Sequence, residues 1–212
     1  MSSQFDDAYP RGAVISLIGS DRMTDVTTSV LQERLVPSPQ RAYRAVLNMR
    51  HLALLSAVAA RLIPQDGRDA TVDLAGAFHR RLAEGIGKGW RYAELPAGAE
   101  LYQRGLAALD TSALIMFDDG FITLQPFQQN KLLGLVQSDQ ATNAAWEGVN
   151  QARWFEEILA TLVDIFYAHP LGSEEIGFAG MADARGWPDV GIDAREEHEP
   201  LSLRQTAPSH PE

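Results

Sequence analysis

The feature that most narrows the fold of this chain is a row of apolar residues at three- and four-residue intervals: Phe155, Ile158, Leu159, Leu162, Val163 and Phe166. At 3.6 residues per turn they line one continuous face of a helix, and such a face is stable in water only when other elements cover it. Glu156 and Glu157 fall in the first part of this segment. Their side chains diverge by about 100°, so they read as solvated or cap-supporting carboxylates and not as an acid–base couple acting on one substrate. The segment ends near His169 and Pro170.

The elements able to cover that face carry the same period. Thr24 to Leu35 reads as a short helix capped at Thr24 or Asp25 and stopped by Pro37 and Pro39. From Arg41 the helical signal strengthens; Leu52, Leu55, Ala59 and Leu62 share a face, and Pro64 closes it. Thr71 or Asp73 can cap a third helix, with Leu74, Phe78 and Leu82 in line, Arg80 and Arg81 outward or near the C-terminal dipole, and Gly85, Gly87 and Gly89 at its end. After Pro96, the stripe Tyr102, Leu106, Leu109, Ala113 and Phe117 predicts a fourth, ending at Asp118, Asp119 and Gly120. Pro126 opens a fifth, carrying Leu132, Leu133 and Val136. No run combines strict period-two alternation with β-branched enrichment, so a substantial sheet is not supported. The expectation is an all-α chain: a single helical domain of about five to six helices with a glycine-rich C-terminal loop and polar tails.

Its organisation reads as an N-terminal extension with a short helix over 1–40, a helical domain over 41–192 and a polar acidic tail over 193–212. Gly172, Gly177, Gly180, Gly186, Gly191 and Pro188 mark the stretch after Pro170 as an ordered loop. Residues 183–212 hold seven acids and three bases, net −4, the pattern of a solvated segment.

Composition then removes whole classes of function. With 18 Lys and Arg against 28 Asp and Glu, net −10, the chain has no excess of cations to neutralise a phosphate backbone, so nucleic acid is not the expected partner. The absence of cysteine removes disulfides, thiolate metal sites, cysteine-ligated clusters and cysteine nucleophiles. The apolar run from Leu52 to Ala60 falls short of the roughly 20 residues that span a bilayer. Residues 1–10 lack the lysine or arginine of a secretory signal, and the adjacent Arg80 and Arg81 lie deep in the chain. A cytoplasmic location is therefore expected, or a periplasmic one if an exported partner carries the chain out.

Few residues suggest chemistry. His169, with Glu174, Glu175 and Asp183 downstream, could supply imidazole and carboxylate metal ligands, although no His-x-x-x-His pairing fixes a geometry; the plainer reading is a histidine capping the last carbonyls of its helix. His51, His79, His198 and His210 stand singly and read as solvent-facing or simply hydrogen-bonded. Gly85-Ile86-Gly87-Lys88-Gly89 follows a helix, matches no nucleotide-binding spacing, and reads as a turn. No nucleophile elbow or Ser, His and Asp constellation is visible. Of the four tryptophans, Trp90, Trp146 and Trp187 lie in or near predicted loops and Trp154 begins the strongest helix. Indoles so placed fill core edges or anchor protein interfaces, and for Trp187 the two readings weigh equally.

The order of the pieces resembles the small, or gamma, subunit of gluconate 2-dehydrogenase, known as subunit 3. The likeness runs from about His51 to Gly191. It passes through Arg61-Leu62-Ile63-Pro64-Gln65-Asp66, then Leu101-Tyr102-Gln103-Arg104-Gly105-Leu106 and Gln128-Gln129-Asn130-Lys131-Leu132-Leu133. It continues through Trp154-Phe155-Glu156-Glu157 and closes with His169-Pro170, Gly177-Phe178-Ala179-Gly180 and Gly186-Trp187. The resemblance implies a non-catalytic helical partner that binds and stabilises a large flavoprotein of the glucose-methanol-choline type. That partner holds FAD and oxidises a sugar or polyol, in some complexes beside a cytochrome subunit carrying haem. The chain departs from the family pattern in having no N-terminal twin-arginine signal, and in showing Leu171-Gly172-Ser173-Glu174 where many relatives have Tyr-Gly-Gly-Asn. On this reading no catalytic, cofactor or metal residue belongs to the chain itself, and the contact residues expected are Trp90, His169, Pro170, Phe178 and Trp187. The rival expectations are a stand-alone metalloenzyme built on His169 and its carboxylates, and a helical adaptor with an unrelated partner.

Overall fold

In the computed structural model the described residues are 12–37, 45–86, 92–93, 95–141, 143–178 and the single positions Asp183, Gly186 and Gly191. They form seven α-helices and two short 3-10 helices with no β-strand among them, in accord with the all-α expectation. The helices are α1 (Asp25–Leu35), α2 (Met49–Leu62), α3 (Leu74–Ala83), α4 (Ala99–Phe117), α5 (Pro126–Gln137), α6 (Gln151–Ala168) and α7 (Pro170–Glu175); the 3-10 helices are Ile15–Leu17 and Ala144–Trp146. None of the described helices is long and apolar enough to cross a membrane.

The chain divides into two compact units. The larger takes in residues 38–66 and 73–165; the smaller takes in 1–37, 67–72 and the chain from Phe166 on. In the larger unit the apolar stripes meet as their spacing demands. Leu55, Val58, Phe78, Leu106, Leu109, Leu132, Trp154, Ile158 and Leu162 are all fully buried. Helix starts follow side-chain chemistry: Asn48 accepts the His51 N–H at 2.8 Å and Asp73 the Gly76 N–H at 2.9 Å, each freeing the first turn from unpaired donors. The cap at Asn48 places the start of α2 eight residues beyond Arg41, where the helical signal first rises. Gly105 in α4 lies where the indole of Trp154 crosses; a Cβ there would overlap Nε1, Cδ1 and Cε2 of the ring.

In the smaller unit Thr24 caps α1 by accepting the Thr27 N–H, and α1 and the first 3-10 helix both pack on α7. Helix α7 takes up Pro170 and the first five residues of the stretch expected to be loop. Pro170 is tolerated because it stands in the first turn, where its missing N–H has no intrahelical partner to lose. Gly172 is required because a Cβ would overlap the Phe166 carbonyl.

Candidate functional site

Of the residues expected to matter most, His169, Pro170 and Phe178 lie at or beside α7 in the smaller unit. His169 is its N-cap, with φ −86° and ψ 139°, and its Nδ1 accepts the Leu171 N–H at 3.1 Å. The imidazole thus caps the beginning of α7 and not, as expected, the carbonyl end of α6. That carbonyl end is held by other groups: Arg34 Nη1 donates to the Ala168 carbonyl at 2.7 Å, and Ser173 Oγ donates to that of Tyr167 at 2.9 Å. An Nδ1 that accepts a hydrogen bond must be unprotonated. Burial lowers the His169 pKa below its ordinary 6.5, with hydrogen bonding to the Arg34 backbone opposing and the Arg34 charge reinforcing that shift.

The carboxylates that could have joined His169 around a metal are engaged separately. Glu174 accepts the backbone N–H groups of Gly12 at 3.2 Å and Ile15 at 3.0 Å. Glu175 pairs with Arg68 at 2.8 Å, and the Arg68 guanidinium also lies 5.1 Å from the centre of the Phe166 ring. Asp183 accepts the N–H and the hydroxyl of Thr24 at 2.5 and 2.8 Å. Among the described residues no three His, Cys, Asp or Glu side chains stand together as a metal ion would require.

Of the five expected contact residues, His169 and Pro170 are buried and Phe178 is 49% exposed; Trp90 and Trp187 lie outside the described residues. The first two therefore shape the ground beneath the surface, while Phe178, with Ile176 at 47% and Tyr167 at 37%, reaches solvent. Gly85 turns the chain at the end of α3 with φ +69°, as expected of a structural turn. Gly87 to Gly89 lie outside the described residues.

In the larger unit the buried polar groups tie down backbone. His79 Nε2 accepts the N–H groups of Val46 at 3.2 Å and Leu47 at 3.4 Å, and burial lowers its pKa. Gln151 accepts the Ala141 N–H at 2.9 Å and donates to its carbonyl at 3.2 Å. Ser112 donates to Ala108 O while accepting from Trp146 Nε1 at 2.9 Å and Asn143 Nδ2 at 2.7 Å. Asp110 accepts from Arg50 and from the Phe121 N–H, and Gln129 donates to the Phe121 carbonyl at 2.8 Å. Glu157 corrects one expectation: unlike Glu156, it is buried at 8% exposure, close enough to Tyr102 for its charge to help burial raise that phenol's pKa. Side chains committed in this way hold turns and helix ends.

The model of the family described as gluconate 2-dehydrogenase subunit 3 matches residues 50–182, from the first turn of α2 past the end of α7. The chain belongs to the gluconate 2-dehydrogenase subunit 3 family. No curated protein and no solved structure matches it. The match takes in α2 to α7 with the His169–Pro170 corner and Phe178, and ends short of Gly186 and Trp187, with which the resemblance closed. The family's description names it as one subunit of a gluconate dehydrogenase complex.

Proposed function

We propose that this chain is the small, non-catalytic subunit of an FAD-dependent sugar or polyol dehydrogenase, and that it binds and stabilises the large flavoprotein subunit. The observation that carries the proposal is the family match across α2 to α7. The chemistry of the chain supports it: there is no cysteine, and the buried His79, Asp110, Ser112, Gln129, Gln151, His169 and Ser173 all hydrogen-bond to main-chain groups. FAD belongs to the partner, haem to a cytochrome subunit where one joins, and this chain contributes surface. Phe178 and Ile176, exposed on the segment that α7 anchors, are the contact residues of the smaller unit.

Co-expression with a large flavoprotein dehydrogenase subunit from the same genome tests this reading. The two chains are expected to co-purify, and the large subunit expressed alone is expected to lose soluble yield and FAD content. A large subunit equally soluble and active without this chain overturns the proposal. Fractionation of the producing cell distinguishes a cytoplasmic complex from one exported on the partner's twin-arginine signal.

A further inference from the structure

Five of the fifteen exposed large apolar side chains among the described residues fall within one fourteen-residue stretch of the larger unit, the corner between α4 and α5: Leu114 (49%), Ile115 (67%), Met116 (40%), Ile122 (42%) and Phe127 (71%). Scattered apolar residues on a surface need no explanation, whereas a concentration of this kind marks an interaction site.

The corner is held in place from within. Phe121 and Leu124 are buried beneath it. Asp110 takes the Phe121 N–H at 3.0 Å and the guanidinium of Arg50, and Gln129 takes the Phe121 carbonyl, so both main-chain groups of the central residue are fixed by buried side chains. Asp118 ends α4 in the left-handed region at φ 59°. Asp119 Oδ1 accepts from the Gly120 N–H and the Thr123 hydroxyl, and Gln128 Oε1 accepts the Gln125 N–H at 2.9 Å, starting α5. A surface fixed before binding loses little conformational entropy on association, which favours its use as an anchor.

The charge around the cluster selects the occupant. Asp118 and Asp119 are exposed beside the apolar side chains; the cations nearby are Lys131 and Arg50, and Arg50 is already paired with Asp110, so the corner keeps an acidic excess. A second copy of the chain would bring the same two acids against them, and an anionic lipid surface would repel them. A protein socket that is apolar at its centre and basic at its rim satisfies both features. Resting on the functional reading above, we infer that the α4–α5 corner docks into such a socket on the large flavoprotein subunit, with Ile115 and Phe127 as its central anchors.

The test is affinity of the full-length chain for the co-expressed large subunit, measured for wild type, Ile115→Asp, Phe127→Asp, the pair Asp118→Asn with Asp119→Asn, and Phe178→Asp. At 67% and 71% exposure, Ile115 and Phe127 can be replaced without opening the core, and circular dichroism with thermal melting checks that the variants fold. Either anchor substitution is expected to weaken binding at least about tenfold, and the paired Asn variant about threefold with a reduced dependence on salt. Wild-type affinity in the folded anchor variants overturns the inference while leaving the functional reading intact, as does loss of binding only in Phe178→Asp. A wild-type chain that fails to bind the large subunit overturns the functional reading itself. A change in self-association without a change in heteromeric affinity assigns the corner to a second copy and also overturns the inference.

Discussion

Gly105→Ala gives the sharpest test of how the larger unit is packed. In an unencumbered helix interior this change stabilises by about 1 kcal/mol, because alanine loses less backbone entropy on folding. At position 105 the new methyl would overlap three atoms of the Trp154 indole. That ring is fully buried, with its centre 5.5 Å from that of Trp146, so it has no free space to retreat into. Accommodation therefore requires α4 and α6 to separate or the indole to leave its site. Removing a large aromatic from a core costs about 3–5 kcal/mol, and overpacking alone about 1–3. Overlap with three ring atoms is too deep for a small shift to relieve, so displacement of the indole sets the cost; subtracting the propensity gain from the larger figure leaves an expected loss of about 2–4 kcal/mol, equivalent to a melting temperature lower by roughly 4–16 °C for a chain of this size. Urea unfolding followed by tryptophan fluorescence measures it directly. Gly134→Ala in α5 is the control: a Cβ there meets nothing within 4 Å, so the same substitution should stabilise by up to about 1 kcal/mol. A Gly105→Ala protein as stable as wild type would refute the crossing of α4 by Trp154.

Three further outcomes follow from the same reasoning. Asp110→Ala strands the buried Phe121 N–H and should cost about 1–3 kcal/mol, whereas Asp110→Asn keeps an acceptor for it and loses mainly the pair with Arg50, whose side chain is 64% exposed, at about 0–1 kcal/mol; urea midpoints should rank the two in that order. His169→Ala should lower stability by about 0.5–2 kcal/mol through loss of the α7 cap, with His169→Asn retaining most of it, as read by thermal melting. Stability should also fall as pH drops below about 6.5: His79 and His169 have folded pKa values below the ordinary 6.5, so the unfolded chain takes up protons that the folded chain refuses until the folded pKa values are passed. Above pH 7 the effect vanishes, and His79→Gln combined with His169→Asn should reduce the slope of unfolding free energy against pH between 7 and 5.5, the remainder coming from His51, whose pKa burial and then the Arg50 charge also lower.

The helices that cover one another announce themselves through period alone, because a residue on the buried face must be apolar and the next turn must repeat it; Leu55, Phe78, Leu106, Leu132 and Ile158 follow this rule. Residues whose roles are set by tertiary contact do not. Pro170 and Gly172 read as helix breakers, yet the first occupies the one turn where proline costs nothing and the second lies against the Phe166 carbonyl. His169 stands at the junction of two helices, and sequence alone does not say which of them it caps. Asn48 is a preferred cap residue and was the available signal for the late start of α2. Glu157 lies on the polar margin of a strong apolar face, where one turn of helix separates solvent from Tyr102.

The α4–α5 corner was the least legible feature, and its chemistry explains why. Leu114, Ile115 and Met116 follow Ala113 without a break in apolar character, so period assigns Ala113 and Phe117 to the core but cannot say that the three residues between them face water. What turns them outward is the end of α4 at Asp118 and the reversal fixed by Asp110, sixty residues away in sequence from its partner Arg50. A surface meant to be covered by another protein is selected for the same side chains as a core, so composition cannot distinguish them; only the fold reveals which apolar residues the chain leaves for a partner to bury. The proposed docking corner is drawn from that unburied remainder.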